Sequence, residues 1–265
     1  ANDHHSLDRV ALGVALGSVA KSRFVLERFV ILLALDTATE SVSVALHDGE
    51  DVVAFSEIRS DRQHAEALTP MIQHVCEQAR IDLRDVGGIA VDVGPGLFTG
   101  MRVGIASAKA LAQVLDVGVI EVSSVEAVAR SVTSECDVVA SVIDARRGEV
   151  FWSLNRTLDG AMRQVGEVQI GSVESCIVDI ADRGQSVVLA GTGALRHRED
   201  FTERLSGVVP AFEFAAEASA VPSAAHVARI GYERARREEW VAAKDVSPRY
   251  LRQPDAEINW STRSS

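Results

Sequence analysis

Two aspartates close similar stretches of this chain. Asp36 ends the apolar run 30–35 and opens Asp36-Thr37-Ala38-Thr39-Glu40, while Asp144 ends 138–143 and opens Asp144-Ala145-Arg146-Arg147-Gly148. A second strand-like run follows each, at 41–46 and 149–154. Strand-end carboxylates in tight hairpins can bracket a nucleotide, with turn N–H groups and hydroxyls on the phosphates and the carboxylates holding Mg²⁺ through water. Gly191-Thr192-Gly193 stands where a third, adenosine-side turn belongs. On this reading Asp36, Thr37, Thr39, Asp144, Gly191 and Gly193 bind nucleotide. Against it, Thr37-Ala38-Thr39 has no glycine to admit a phosphate, and Arg146 and Arg147 are bulky. The plainer alternative, aspartates that only shape their turns, stays open beside it.

Other motifs exclude more than they assign. Gly94-Pro95-Gly96-Leu97-Phe98-Thr99-Gly100 is followed by Met101-Arg102, not by the lysine and hydroxyl of a Walker loop, and Thr99 stands where a dinucleotide fingerprint needs glycine. The turn either holds an anion at a helix N-terminus or simply packs helix on strand. His64 faces Leu68, so a helical metal pair is missing, and its surface placement at a helix end is expected. His74, ten residues on, is about 15 Å away along a helix. No GxSxG elbow is present. The expectation is no catalytic residue and no metal site.

The elements that would position these residues follow from periodicity. The run 89–93 reads as a buried strand and Gly94-Pro95-Gly96 as a turn, with Thr99 placed to cap a helix to residue 115. That helix is apolar on two sides, one with Met101, Ile105, Ala108, Ala112 and Leu115, the other with Val103, Ala106, Ala110 and Val114. An earlier helix at 63–80, with Pro70 inside it, carries the stripe Ala65, Leu68, Ile72, Val75 and Ala79 with Met71 beside it. Gly100, Gly104, Ala108 and Ala112 recur every four residues and make a smooth ridge that a neighbouring helix can approach closely. One reading makes this a subunit seam built from Leu68, Met71, Ile72, Val75, Gly100, Met101, Gly104, Ile105, Ala108 and Ala112, in which Ala108→Arg would block a partner and leave the fold intact. The other buries the ridge within the chain.

Strand, aspartate, turn, strand occurs twice, so the chain is expected to be α/β with two lobes of duplicated topology, mixed sheets flanked by helices. The layout resembles the actin-like ATPase (ASKHA) fold. The lobes are assigned to 30–122 and 123–221, with a C-terminal helix and tail at 222–254 packing back on them and a frayed end at 255–265. Ser223 is the expected cap of that helix, and Asp159-Gly160 reads as a hairpin turn. Residues 1–29 are expected to lie outside the fold, non-native or disordered. Their apolar run, 10–20, is too short to span a bilayer and lacks the leading charges of a secretory signal. A net charge of −11 gives no global footprint for nucleic acid. Cys76, Cys136 and Cys176 are far apart, as in a reduced, cytoplasmic protein.

LALDTATESVSVAL, GPGLFTGMRVGIASAKALA, IDARRGEVFW and PRYLR together resemble the TsaB (YeaZ) family, over about residues 30–252. The resemblance implies an actin-like, non-catalytic paralogue of TsaD, the enzyme that places threonylcarbamoyl on adenosine 37 of tRNA. It implies a heterodimer with TsaD through the first-lobe helices, TsaE in a ternary complex, a homodimer when alone, and tRNA reached only through the complex. No cofactor is then required, and ATP or ADP with Mg²⁺ would bind weakly at most. The competing expectation from the residues alone is a stand-alone phosphotransferase or metal-dependent transferase of the same fold. Nothing in the chain supports the peptidase chemistry of older family names.

Overall fold

The computed structural model describes residues 30–59, 64–158 and 161–252. The expectations for 1–29, for Gln63, for the Asp159-Gly160 turn and for 255–265 fall outside those residues.

Two five-stranded sheets share one topology. The first contains β1 (Leu32–Asp36), β2 (Ser41–His47), β3 (Val52–Arg59), β4 (Gly88–Asp92) and β5 (Gly118–Val122), in the order β3-β2-β1-β4-β5. The second contains β6 (Val138–Asp144), β7 (Glu149–Leu158), β8 (Ala161–Ser172), β9 (Val187–Ala190) and β10 (Phe212–Phe214), in the order β8-β7-β6-β9-β10. In each sheet the first three strands pair antiparallel and the last two join in parallel. This duplicated, mixed arrangement is the actin-like fold. Strands β8 and β10 escape a reading by alternation: β8 shows no clean period-2 burial and β10 is three residues long.

Helices cover both faces of the first sheet. On one side lie α1 (His64–Ala79) and α2 (Phe98–Leu115). Their buried residues Leu68, Met71, Ile72, Val75, Met101, Ile105, Ala108 and Ala112 form one core with Leu33, Leu35, Val44 and Val91 of the sheet. On the other side α7 (Ala224–Ala235) packs Val227, Ala228 and Ile230 on Leu32, Ala34 and Ala90. Ser223 caps α7, accepting from Ala225 N at 3.3 Å. The second sheet is covered by α4 (Val173–Asp182), α5 (Thr192–Arg196) and α6 (Arg198–Leu205). The connecting α3 (Ser124–Arg130) packs Val125 and Val128 on Ile143 and Phe151. Pro70 sits within α1 without ending it.

The structure corrects three sequence expectations. Thr99 is not the cap of α2: the cap is Leu97, which has no side-chain bond to offer, and Thr99 lies inside the first turn. His64 is buried rather than a surface residue, and its Nε2 is 2.7 Å from the Thr39 carbonyl. The ten proposed seam residues all face inward. The glycine ridge accommodates not a foreign helix but the β1–β2 turn. A Cβ on Gly100 would stand 2.1 Å from the Thr37 carbonyl oxygen, and one on Gly104 would stand 2.4 Å from Thr37 Oγ1. With Ala108 fully buried, Ala108→Arg would disrupt the core and not merely a seam.

Candidate functional site

The β1–β2 turn is locked onto the helices. Thr37 Oγ1 donates to the Gly100 carbonyl at 2.7 Å, Leu97 N donates to the Ala38 carbonyl at 2.7 Å, and His64 meets Thr39. Strands β1 and β4 run parallel and in register, so their terminal aspartates stand side by side. Asp36 Oδ1 accepts from Ala38 N at 2.9 Å, and Asp92 Oδ1 accepts from Gly94 N and Ser124 Oγ, each at 2.7 Å. The other two oxygens, Asp36 Oδ2 and Asp92 Oδ2, are buried with no hydrogen-bond partner among the described residues. Burial, then the charge of Asp92, holds the Asp36 carboxyl well above its usual range, and burial lifts Asp92 to about 6. The two carboxyls lie side by side at the strand ends, both fully buried, and work as a pair inside the fold.

Between the lobes lies a cavity of about 300 Å³. Of the six residues expected to bind nucleotide, Thr39 and Asp144 line it. Asp36 and Thr37 are buried beneath it. Gly191 and Gly193 pack against β6, where a Cβ would stand 2.2 Å from the Val142 carbonyl oxygen and 2.9 Å from Val142 Cγ1. Thr192, between them, accepts from Asp144 N at 3.0 Å. The Asp144 carboxylate is engaged by Arg146 N at 3.0 Å and Arg196 Nη1 at 2.8 Å, with Arg146 Nη1 at 3.6 Å. Arg146 also pairs with Glu40 across the lobes. The β6–β7 turn that carries Arg146 and Arg147 places both residues at positive φ, 64° and 58°. Each costs about 1 kcal/mol or more in a side-chain-bearing residue.

A second cavity, about 420 Å³, lies on the other side of Gly96 and Leu97. The first turn of α2, the β6–β7 turn and the C-terminal tail enclose it. The tail is strapped to both lobes. Arg249 N donates to the Val93 carbonyl at 2.8 Å, Arg252 Nη1 donates to the Ala145 carbonyl at 3.0 Å, and Arg252 pairs with Glu149. Tyr250 stacks on Phe98 with ring centroids 5.1 Å apart and accepts from Arg102 Nε at 2.8 Å. The sequence reading assigned no binding role to Phe98, Arg102, Arg249, Tyr250 or Arg252. The visible signal for the last three was one tyrosine flanked by arginines in Arg249-Tyr250-Leu251-Arg252.

Turned away from both cavities is the outer face of α2. Val103, Ala106, Ala110 and Val114 recur at helical spacing along it. Ala106 and Ala110 are exposed, Val103 is half-buried, and Val114 is 82% exposed. On α1 the exposed positions include Ala65, Thr69, Pro70 and Gln73.

A family model described as "TsaD: tRNA N6-adenosine threonylcarbamoyltransferase" matches residues 57–260. The tRNA threonylcarbamoyladenosine biosynthesis protein TsaB of Haemophilus influenzae is 30% identical over 239 residues, covering 86% of this chain and 95% of that protein. The chain belongs to the TsaB (YeaZ) family. The TsaB protein of Bacillus subtilis is 27% identical over 229 residues, 86% of this chain and 97% of that protein. Among solved structures, YeaZ from Pseudomonas aeruginosa superposes with a TM-score of 0.68 at 33% identity, covering 84% of this chain and all of that one. An uncharacterized protein with similarity to peptidase YEAZ, also from Pseudomonas aeruginosa, gives 0.73 at 31% identity with the same coverage. These relatives tie the chain to tRNA threonylcarbamoyladenosine biosynthesis. Among the described residues no helix is long and apolar enough to cross a membrane.

Proposed function

We propose that this TsaB-family chain is a scaffold subunit for tRNA threonylcarbamoyladenosine synthesis, supporting a TsaD-type catalytic subunit and performing no chemistry of its own. The observation that carries the reading is the apolar outer face of α2. An exposed valine and two exposed alanines on one helical stripe form a surface that a partner helix can cover closely. The seam expected from the sequence is therefore moved about one side round the helix, from the ridge of Gly100 and Gly104 to Val103, Ala106, Ala110 and Val114. The exposed side of α1 extends it. The same face would serve a homodimer in the absence of the partner, and a TsaE-type ATPase would join the heterodimer.

The competing reading, a stand-alone nucleotide-dependent phosphotransferase or metal-dependent transferase, needs a free carboxylate pair in the cleft. Asp36 is buried against Asp92, and Asp144 is engaged by two arginines. Both facts favour the scaffold. The test is tRNA modification reconstituted with the catalytic subunit and the ATPase, with and without this chain. Modification that depends on the chain, and a chain inactive alone, is the expected result. Full modification without it would refute the role.

A further inference from the structure

The tail ties the lobes together through one side chain. Along 240–250 it lies on the first lobe. The Trp240 ring fills the space left by Gly88 and Gly118, where a Cβ would stand 2.5 and 2.8 Å from it. Val241 bridges to Val119, Lys109 Nζ donates to the Lys244 carbonyl at 3.3 Å, and Ser247 N donates to Glu121 Oε1 at 3.0 Å. Arg249 and Tyr250 continue this docking on Val93, Phe98 and Arg102. Two residues later the tail crosses. Arg252 Nη1 donates to the Ala145 carbonyl, and the guanidinium pairs with Glu149 at the start of β7. At the other mouth of the cleft Arg146, from the same β6–β7 turn, pairs with Glu40 of the first lobe. Both pairs are partly open to solvent, with side chains 24% and 40% exposed for Arg252 and Glu149 and 45% and 52% for Arg146 and Glu40. Pairs of this kind hold weakly and are screened by salt.

We propose that Arg252 is an interlobe latch: its grip on Glu149 and the Ala145 carbonyl holds the second lobe closed over the 420 Å³ cavity, and its release lets the lobes part. The structure shows the latched arrangement. Two observations make the tie a switch and not a permanent clamp. The grip is a single side chain at the end of a tail whose other anchors all belong to the first lobe. The turn it grips is strained, with Arg146 and Arg147 at positive φ, and such strain persists only where the surroundings impose it. Release therefore removes a weak pair and lets a strained turn relax, so both changes favour opening. The chain passes between the two sheets in the segments 123–137 and 215–223, which are the places a hinge would turn. The tail stays on the first lobe through Tyr250, because its anchors there do not involve Arg252. The outer face of α2 points away from both cavities, so the latch acts independently of the scaffold role.

The test is a spin-label distance measurement on the full-length chain, with one label on each lobe. Gln73→Cys on α1 and Gln169→Cys on β8 are exposed positions, and Cys136→Ser removes the one natural cysteine that is not buried. A single interlobe distance is expected at low salt. Arg252→Ala should add a longer distance and raise its population at least about fivefold, the weight of one weak pair and its hydrogen bond. Glu149→Gln should do likewise, and so should about 1 M NaCl on the unaltered pair. The reciprocal variant Arg252→Glu/Glu149→Arg should restore the short distance at low salt. Circular dichroism checks that each variant is folded. A folded Arg252→Ala chain with an unchanged single distance would overturn the proposal, as would a reciprocal variant as open as Arg252→Ala.

Discussion

The contact between Thr37 and Gly104 offers a prediction in which one substitution changes sign with its background. A Cβ on Gly104 would lie 2.4 Å from Thr37 Oγ1, while the remaining Thr37 side-chain atoms stand at 3.6 and 3.8 Å, ordinary contact distances. Gly104→Ala therefore forces the Thr37 hydroxyl to turn away and break its 2.7 Å bond to the Gly100 carbonyl. Losing a buried hydrogen bond costs about 1–3 kcal/mol, and alanine within a helix returns about 1 kcal/mol relative to glycine. The net effect in the natural background is a loss of about 1 kcal/mol. In a Thr37→Ala background the obstructing oxygen and its bond are already gone, so Gly104→Ala should stabilise by up to about 1 kcal/mol. Urea unfolding of the four proteins measures the cycle, with an expected coupling of about 2 kcal/mol. Equal effects of Gly104→Ala in both backgrounds, within about 0.5 kcal/mol, would refute the packing of this turn on α2. So would a Gly104→Ala protein of unchanged stability that had lost its partner, because the ridge would then face outward.

The remaining predictions concern the buried carboxyls and the inner face of α2. Asp36 and Asp92 both have raised values in the fold, so their contribution is fully present below the ordinary carboxylate range near 4 and is lost as pH rises through about 6, the value for Asp92. The melting temperature should therefore be lower at pH 8 than at pH 5, and Asp36→Asn should reduce that fall and be the more stable protein at pH 8; thermal melts showing no such gain would contradict the raised, buried carboxyls. Ala108→Arg should unfold the first lobe, with a loss exceeding about 3 kcal/mol from a charge forced among Leu33, Val91 and Ile105. A cooperative melt near that of the natural protein would place Ala108 outside the core.

The parts of the architecture visible in the sequence are those set by local pattern. Apolar runs ending in Asp36 and Asp144, each followed by a short turn and a second strand, displayed the duplication. The apolar 3.6-residue period displayed α1 and α2. The direction of a small-residue ridge is not a local property. Gly100 and Gly104 would serve a foreign helix or a turn of the same chain equally well, and only the β1–β2 turn docked on them decides between the two. Asp36 fails as a ligand for a similar reason: its neighbour in space, Asp92, lies on a parallel strand 56 positions later in the chain. The tail cavity was hidden because its walls come from residues near 98, 146 and 250. Conversely, the stripe of Val103, Ala106, Ala110 and Val114 was legible as the second apolar side of α2, and the structure shows it as the uncovered side.

The scaffold account rests most directly on that uncovered side, and one substitution tests it. Val114 is 82% exposed, so Val114→Arg removes little packing and should change stability by less than about 0.5 kcal/mol. Co-expression with the TsaD-type subunit, followed by affinity capture and quantification of the complex, is the measurement. The account predicts a folded Val114→Arg chain that no longer captures its partner. A Val114→Arg chain that forms the complex in the same yield and at the same affinity as the natural protein would contradict it.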